Sequence, residues 1–163
     1  MKDLSNRERQ TLSALNAAIF EKGAGWRPAL LQKLHVIAHK NIGTKVLVVD
    51  DNAAGREFVR ESLKDHVSSL AEASNGREGL EKIRETRPDL VLLDIQMPEK
   101  DGYEVLREIR DDPALKGLRV VALTAFAMRD DRERALAAGF DDYLTKPVTA
   151  AQLKEQLKIC EDK

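Results

Sequence analysis

Three short, unbroken apolar runs, each closed by a residue that can do chemistry, constrain this chain more than any other feature. Val46-Leu47-Val48-Val49 leads into Asp50-Asp51, Leu90-Val91-Leu92-Leu93 into Asp94, and Val120-Val121-Ala122-Leu123 into Thr124. Runs of this length are too short for core helices. They also lack the alternation of a strand with one wet face, so they fit strands buried on both faces. Phe140-Asp141-Asp142-Tyr143-Leu144 is a more polar strand and suits a sheet edge, and Val67–Ala73, diluted by Ser68, Ser69 and Glu72, is the weakest of the five. Between them, about 53–65, 76–86, 102–111, 128–138 and 149–160, apolar residues such as Val105, Leu106 and Ile109 recur at helical spacing. Five alternating strand–helix units predict an α/β fold, a doubly wound five-stranded parallel sheet with helices on both faces.

Composition supports a folded domain. The 163 residues are 42% hydrophobic and 34% charged, enough apolar mass for a core under a solvated surface. No apolar run reaches the roughly 18–20 residues of a membrane span, and the first residues lack the apolar stretch of a signal peptide. The lone Cys160 can form no internal disulfide and belongs to no zinc cluster. These features predict a soluble cytoplasmic protein.

The pattern changes near Gly43-Thr44. Residues 1–44 carry seven Lys/Arg against three Asp/Glu, whereas residues 45–163 carry twenty against twenty-five. Leu12, Leu15 and Ile19, then Leu30, Leu31, Leu34 and Ile37, predict an N-terminal pair of short helices, with Ser5 as an N-cap and Pro28 in the first turn of the second. Two such helices cannot bury their own apolar faces, and a homodimer through them is the simplest expectation. With few aromatics, the basic excess reads as a solvated helix face and not a nucleic-acid platform. His39 reads as an ordinary surface histidine, because 44 residues cannot build a four-helix phosphotransfer bundle.

In a parallel sheet, ligands bind at the carboxyl ends of the strands. Here those ends carry Asp50, Asp51, Asp94 and Thr124, with Lys146-Pro147 after the fifth strand. Three converging carboxylates repel unless a cation compensates them, and Mg²⁺ suits an all-oxygen donor set that keeps waters. A carboxylate nucleophile, a divalent metal, an ammonium and a hydroxyl together suit the acceptance of a phosphoryl group. Read alone, Asp50-Asp51 also suits an N-cap pair for the following helix.

Residues 45–160, about 70% of the chain, resemble a response-regulator receiver domain of the CheY-like, flavodoxin-like type. The resemblance rests on Val48-Val49-Asp50-Asp51-Asn52, Leu92-Leu93-Asp94-Ile95-Gln96-Met97-Pro98, Gly102, Thr124-Ala125 and Lys146-Pro147, in order and at matching spacing. It implies an N-terminal extension over 1–44 and a receiver over 45–163. It further implies that Asp94 accepts phosphate from a histidine kinase or a histidine phosphotransfer protein. Asp51, Asp94 and the Gln96 carbonyl would hold Mg²⁺, with Asp50 acting through water. Lys146 would contact the phosphoryl group, and Thr124 and Tyr143 would form an activation switch in which Tyr143 turns inward. A cis Lys146-Pro147 peptide is implied as well, and Met97-Pro98 and Gly102 would shape the loop. Such a protein signals through protein contacts and is not a conventional enzyme; no DNA-binding output segment is expected after residue 160.

Two other readings start from the same residues. A haloacid-dehalogenase-type phosphotransferase or phosphatase also uses an Asp nucleophile and Mg²⁺, but it carries a second Asp two positions on, where this chain has Gln96. A flavodoxin-like cofactor binder needs a hydroxyl- or glycine-rich phosphate loop after its first strand, where this chain has Asp50-Asp51-Asn52.

Overall fold

The computed structural model describes residues 43–125 and 129–161. The N-terminal helix pair expected before Gly43 lies outside the described residues. Within them the chain alternates strictly: β1 (Lys45–Val49), α1 (Ala53–Leu63), β2 (Ser69–Ala73), α2 (Gly76–Thr86), β3 (Leu90–Asp94), α3 (Gly102–Asp111), β4 (Arg119–Thr124), α4 (Arg129–Ala138), β5 (Asp142–Thr145) and α5 (Ala150–Glu161). The strands form one parallel sheet in the order β2-β1-β3-β4-β5, with β2 and β5 at the edges.

Side chains of successive strand residues point to opposite faces, so each unbroken apolar run feeds two cores. Leu47, Val49, Val91, Leu93, Val120 and Ala122 pack with Leu80 and Ile83 of α2 and Val105, Leu106 and Ile109 of α3. Val46, Val48, Leu90, Leu92, Val121 and Leu123 pack on the other face with Val59 and Leu63 of α1 and Leu153 and Leu157 of α5.

Element ends differ from the sequence expectation by a few residues, for local reasons. β3 and β4 run one residue further, through Asp94 and Thr124. β2 begins at Ser69 because Ser68 turns back on the start of β1, its N–H donating to the Thr44 carbonyl at 3.1 Å and its hydroxyl to the Gly43 carbonyl. β5 begins at Asp142 and not at Phe140. The Asp141 carboxylate takes the Val120 N–H at 2.7 Å, the place a strand carbonyl would hold, and Arg110 at 2.9 Å, while Phe140 is buried in the core.

Sheet order positions the site. β1 has β2 on one side and β3 on the other, so the chain reverses its winding direction there and leaves a crevice at the carboxyl ends. The register pairs Val49 with Leu93, which places Asp50 beside Asp94.

Candidate functional site

Each acidic residue is placed by a different local device. Asp50 follows β1 and is sealed at 1% exposure; its N–H donates to the Ala73 carbonyl at 3.1 Å, and its Oδ1 accepts the Asn52 N–H at 2.8 Å. Asp51 is exposed at the rim. The N-cap of α1 is Asn52, whose side chain accepts from the Ala54 and Gly55 N–H groups. The reading of Asp50-Asp51 as a capping pair, open only when the pair is taken alone, is therefore set aside: neither carboxylate accepts from the first-turn N–H groups.

Asp94 closes β3 at 4% exposure, its Oδ1 accepting the Gln96 N–H at 2.9 Å. The loop that follows can double back tightly only because residue 102 is glycine. Its N–H donates to the Ile95 carbonyl at 2.9 Å, and a Cβ there would stand 2.5 Å from the Asp94 carbonyl oxygen. Gly102 thus shapes the loop under the acidic residue, as expected. The α3 start is further fixed by a capping box between Asp101 and Glu104.

Lys146 reaches this pocket from beyond β5. Its ammonium lies 2.7 Å from Asp50 Oδ2 and 2.6 Å from Asp94 Oδ2. The Lys146-Pro147 peptide is cis, as the resemblance implies. Burial pushes the Asp94 carboxyl above its ordinary range, against the opposing pull of Lys146 and the Gln96 N–H. Burial also works against the Lys146 charge, but Asp50 and Asp94 outweigh it and hold the ammonium above the usual lysine value. Lys146 therefore does not fully offset the desolvation of the Asp94 carboxylate.

Oxygen atoms of Asp50, Asp51 and Asp94 all lie within 4.8 Å of one another, a group able to coordinate a metal ion. Two oxygens on one octahedral Mg²⁺ stand roughly 3–4 Å apart at bonds of about 2.0–2.1 Å, so modest carboxylate rotation closes the set. An all-oxygen donor set with one rim residue open to water fits a hard cation of that kind.

Thr124 ends β4 at 2% exposure, next to Thr145 in the ladder, and its carbonyl accepts the Lys146 N–H at 2.7 Å. Tyr143 is 8% exposed and shares a hydrogen bond with Thr124. Burial raises the pKa of its phenol, with the Thr124 hydrogen bond acting in the opposite direction. Gln96 is exposed beside Asp94.

Arg56 is a site neighbour that the sequence reading missed. Its guanidinium donates to the Asp50 carbonyl at 2.7 Å. One signal was available: it stands one helical turn after the cap Asn52, close enough to reach back.

A sequence profile described as "Response regulator receiver domain" matches residues 46–158. The polar-differentiation response regulator DivK of Brucella anthropi is 38% identical over 113 residues, spanning 69% of this chain and 92% of that protein. A 14.6 kDa protein of Leptolyngbya boryana is 41% identical over 108 residues, 66% of this chain and 82% of its own. Among solved structures, a response regulator from Chloroflexus aurantiacus superposes with a TM-score of 0.69 at 28% identity, covering 74% of this chain and 99% of that one. The Vibrio cholerae chemotaxis protein CheY4 gives 0.67 at 29% identity, covering 72% and 98%.

Proposed function

This chain belongs to the response regulator receiver domain family, and from that premise we propose that Asp94 is its phosphoryl acceptor. It is a phospho-accepting receiver of a two-component system, a signalling module and not a conventional enzyme. The observation that supports Asp94 is its position: a carboxylate buried at the end of β3, beside Asp50, with a lysine 2.6 Å away.

In the proposed reaction an Asp94 carboxylate oxygen attacks the phosphorus of a phosphohistidine on a histidine kinase or histidine phosphotransfer protein. The P–N bond breaks and its electron pair stays on the ring nitrogen, so that a phosphohistidine protonated at its other ring nitrogen leaves as neutral imidazole. Asp51, Asp94 and the Gln96 carbonyl, with Asp50 through a water, would hold Mg²⁺, and the ion would supply neutralisation of phosphoryl charge. Lys146, which holds the acceptor oxygen side of Asp94 beforehand, transfers its contact to a phosphoryl oxygen. The Thr124 hydroxyl turns toward the same group and alters its bond with Tyr143. Beside the carboxylates, Phe58 stands 43% exposed on an apolar cavity of about 240 Å³ with Val59, Pro147 and Val148, a footing for the histidine-bearing partner.

Incubation with acetyl phosphate and Mg²⁺ followed by intact mass tests this reading. One phosphoryl group should be gained by the native chain, little by Asp51→Ala, and none by Asp94→Asn. Undiminished gain in Asp94→Asn would remove Asp94 from the role.

Residues 1–44 we assign to self-association, with the receiver spanning 45–163. Support comes from the apolar stripe of Leu12, Leu15, Ile19, Leu30, Leu31, Leu34 and Ile37. Light scattering on the full chain and on a chain lacking residues 1–43 decides: a mass class that is monomeric in both defeats the homodimer.

A further inference from the structure

The acidic corner at Asp50-Asp51 must hold two like charges at the end of a strand, where ladder hydrogen bonds give out. Past Val49, the Asp50 N–H still reaches the Ala73 carbonyl, and the side chain is engaged by Asn52 and Lys146. The Asp50 carbonyl points elsewhere and receives the Arg56 Nη1–H at 2.7 Å. We infer that Arg56 is a positioning residue that braces the Asp50–Asp51 peptide and so sets the geometry in which the acidic cluster takes a divalent cation. This rests on reading that cluster as a cation site.

The peptide unit is planar, so pinning the Asp50 carbonyl also fixes the direction of the Asp51 N–H and the position of its Cα. The exposed Asp51 carboxylate is otherwise free to swing, and its contribution to an octahedral ion depends on where that Cα stands. Removing the guanidinium also leaves a carbonyl of a residue 1% exposed short of its donor, which favours local rearrangement of the corner.

A positive charge near a cation site should by itself weaken cation binding. Arg56 is arranged so that this effect is small. Its Nε lies 3.5 Å from Glu72 Oε2 on β2, and its side chain is 17% exposed, against 46% for Arg60, which shares the other Glu72 oxygen at 3.2 Å. Glu72 thus offsets much of the guanidinium charge while aiming it at the corner. Arg60, by comparison, is engaged in the surface pairs with Glu57 and Glu61.

The test is Mg²⁺ titration by calorimetry on the full chain, with thermal melting recorded in metal-free buffer. Arg56→Ala should weaken Mg²⁺ binding about tenfold or more, the range for groups that orient metal ligands. Arg56→Lys, which can still donate to the carbonyl, should recover most of the loss. If Arg56→Ala fails to fold, Arg56→Met decides, because it keeps the aliphatic stem and removes only the donor. A merely structural arginine would lower the melting temperature and leave the Mg²⁺ dissociation constant unchanged; that result overturns the inference. Tighter binding in the variant, abolished by high salt, also overturns it, because charge and not position would then dominate. Absence of Mg²⁺ binding by the native chain would instead overturn the reading of the cluster as a cation site.

Discussion

The Lys146 ammonium stands 2.6 Å from the Asp94 carboxylate, an ion pair between residues 52 positions apart that also reaches Asp50 at 2.7 Å. Both carboxylates are nearly sealed from water, whereas the lysine side chain is 28% exposed. The lysine is therefore the metal-free counter-ion of the pocket as well as a candidate phosphoryl ligand.

Lys146→Met removes that counter-ion and leaves two buried carboxylates facing each other. Loss of one partner of a buried pair costs up to about 3–5 kcal/mol, and the partial exposure of Lys146 brings the expectation to about 2 kcal/mol. Urea unfolding without metal checks the loss. The stabilisation gained on adding Mg²⁺ should be larger in the variant than in the native chain.

Asp94 links stability to pH. Burial holds its carboxyl above the ordinary range in the folded state, so the native protein binds that proton more tightly than the unfolded chain does. Such a group contributes most below its unfolded pKa of about 4, and the contribution is lost as pH rises through the raised value. In metal-free buffer Asp94→Asn should therefore be more stable than the native chain at pH 7. That advantage should shrink toward pH 4. Urea midpoints at the two pH values measure both.

Glu78 runs the other way. At the start of α2 its carboxylate accepts from Lys82 at 2.6 Å and from the Ser74 N–H at 2.7 Å, and its pKa falls from 4.5 to about 2, chiefly through Lys82. A depressed carboxylate stabilises above its unfolded pKa and loses that contribution as pH falls through the folded one. Glu78→Gln should cost about 0.5–1 kcal/mol at pH 7 once solvent screening is included. The difference from the native chain should fade between about pH 4.5 and 2 in thermal melts.

Gly102→Ala forces a methyl to within 2.5 Å of the Asp94 carbonyl oxygen and 2.8 Å of the Ile95 Cα, both backbone atoms that cannot swing aside. A loss of about 1–3 kcal/mol is expected, of the size seen for overpacking. Because the displaced backbone carries Asp94, Mg²⁺ affinity should fall as well. Unchanged affinity with lowered melting temperature would separate loop strain from site geometry.

Local order set much of this protein in advance. Whether four residues form a buried strand or part of a helix depends on hydrophobic spacing over a few positions, and that spacing is written in the chain; so are the residues that follow each strand, which parallel pairing must bring to one edge. The helices at 76–86 and 102–111 match their apolar periodicity without adjustment. Partner choice is different in kind, because it depends on which groups meet after the sheet is assembled and desolvated. The β2-β1-β3-β4-β5 order put Asp50 beside Asp94 and left Lys146 between them. Tertiary packing also buried Tyr143 against Thr124, whereas the Asn52 cap and the reach of Arg56 back onto the Asp50 carbonyl are local contacts that the sequence reading overlooked. Spacing along the chain cannot specify the long-range contacts of Lys146 and Tyr143, since each joins groups whose separation in space is decided by how distant segments share a core.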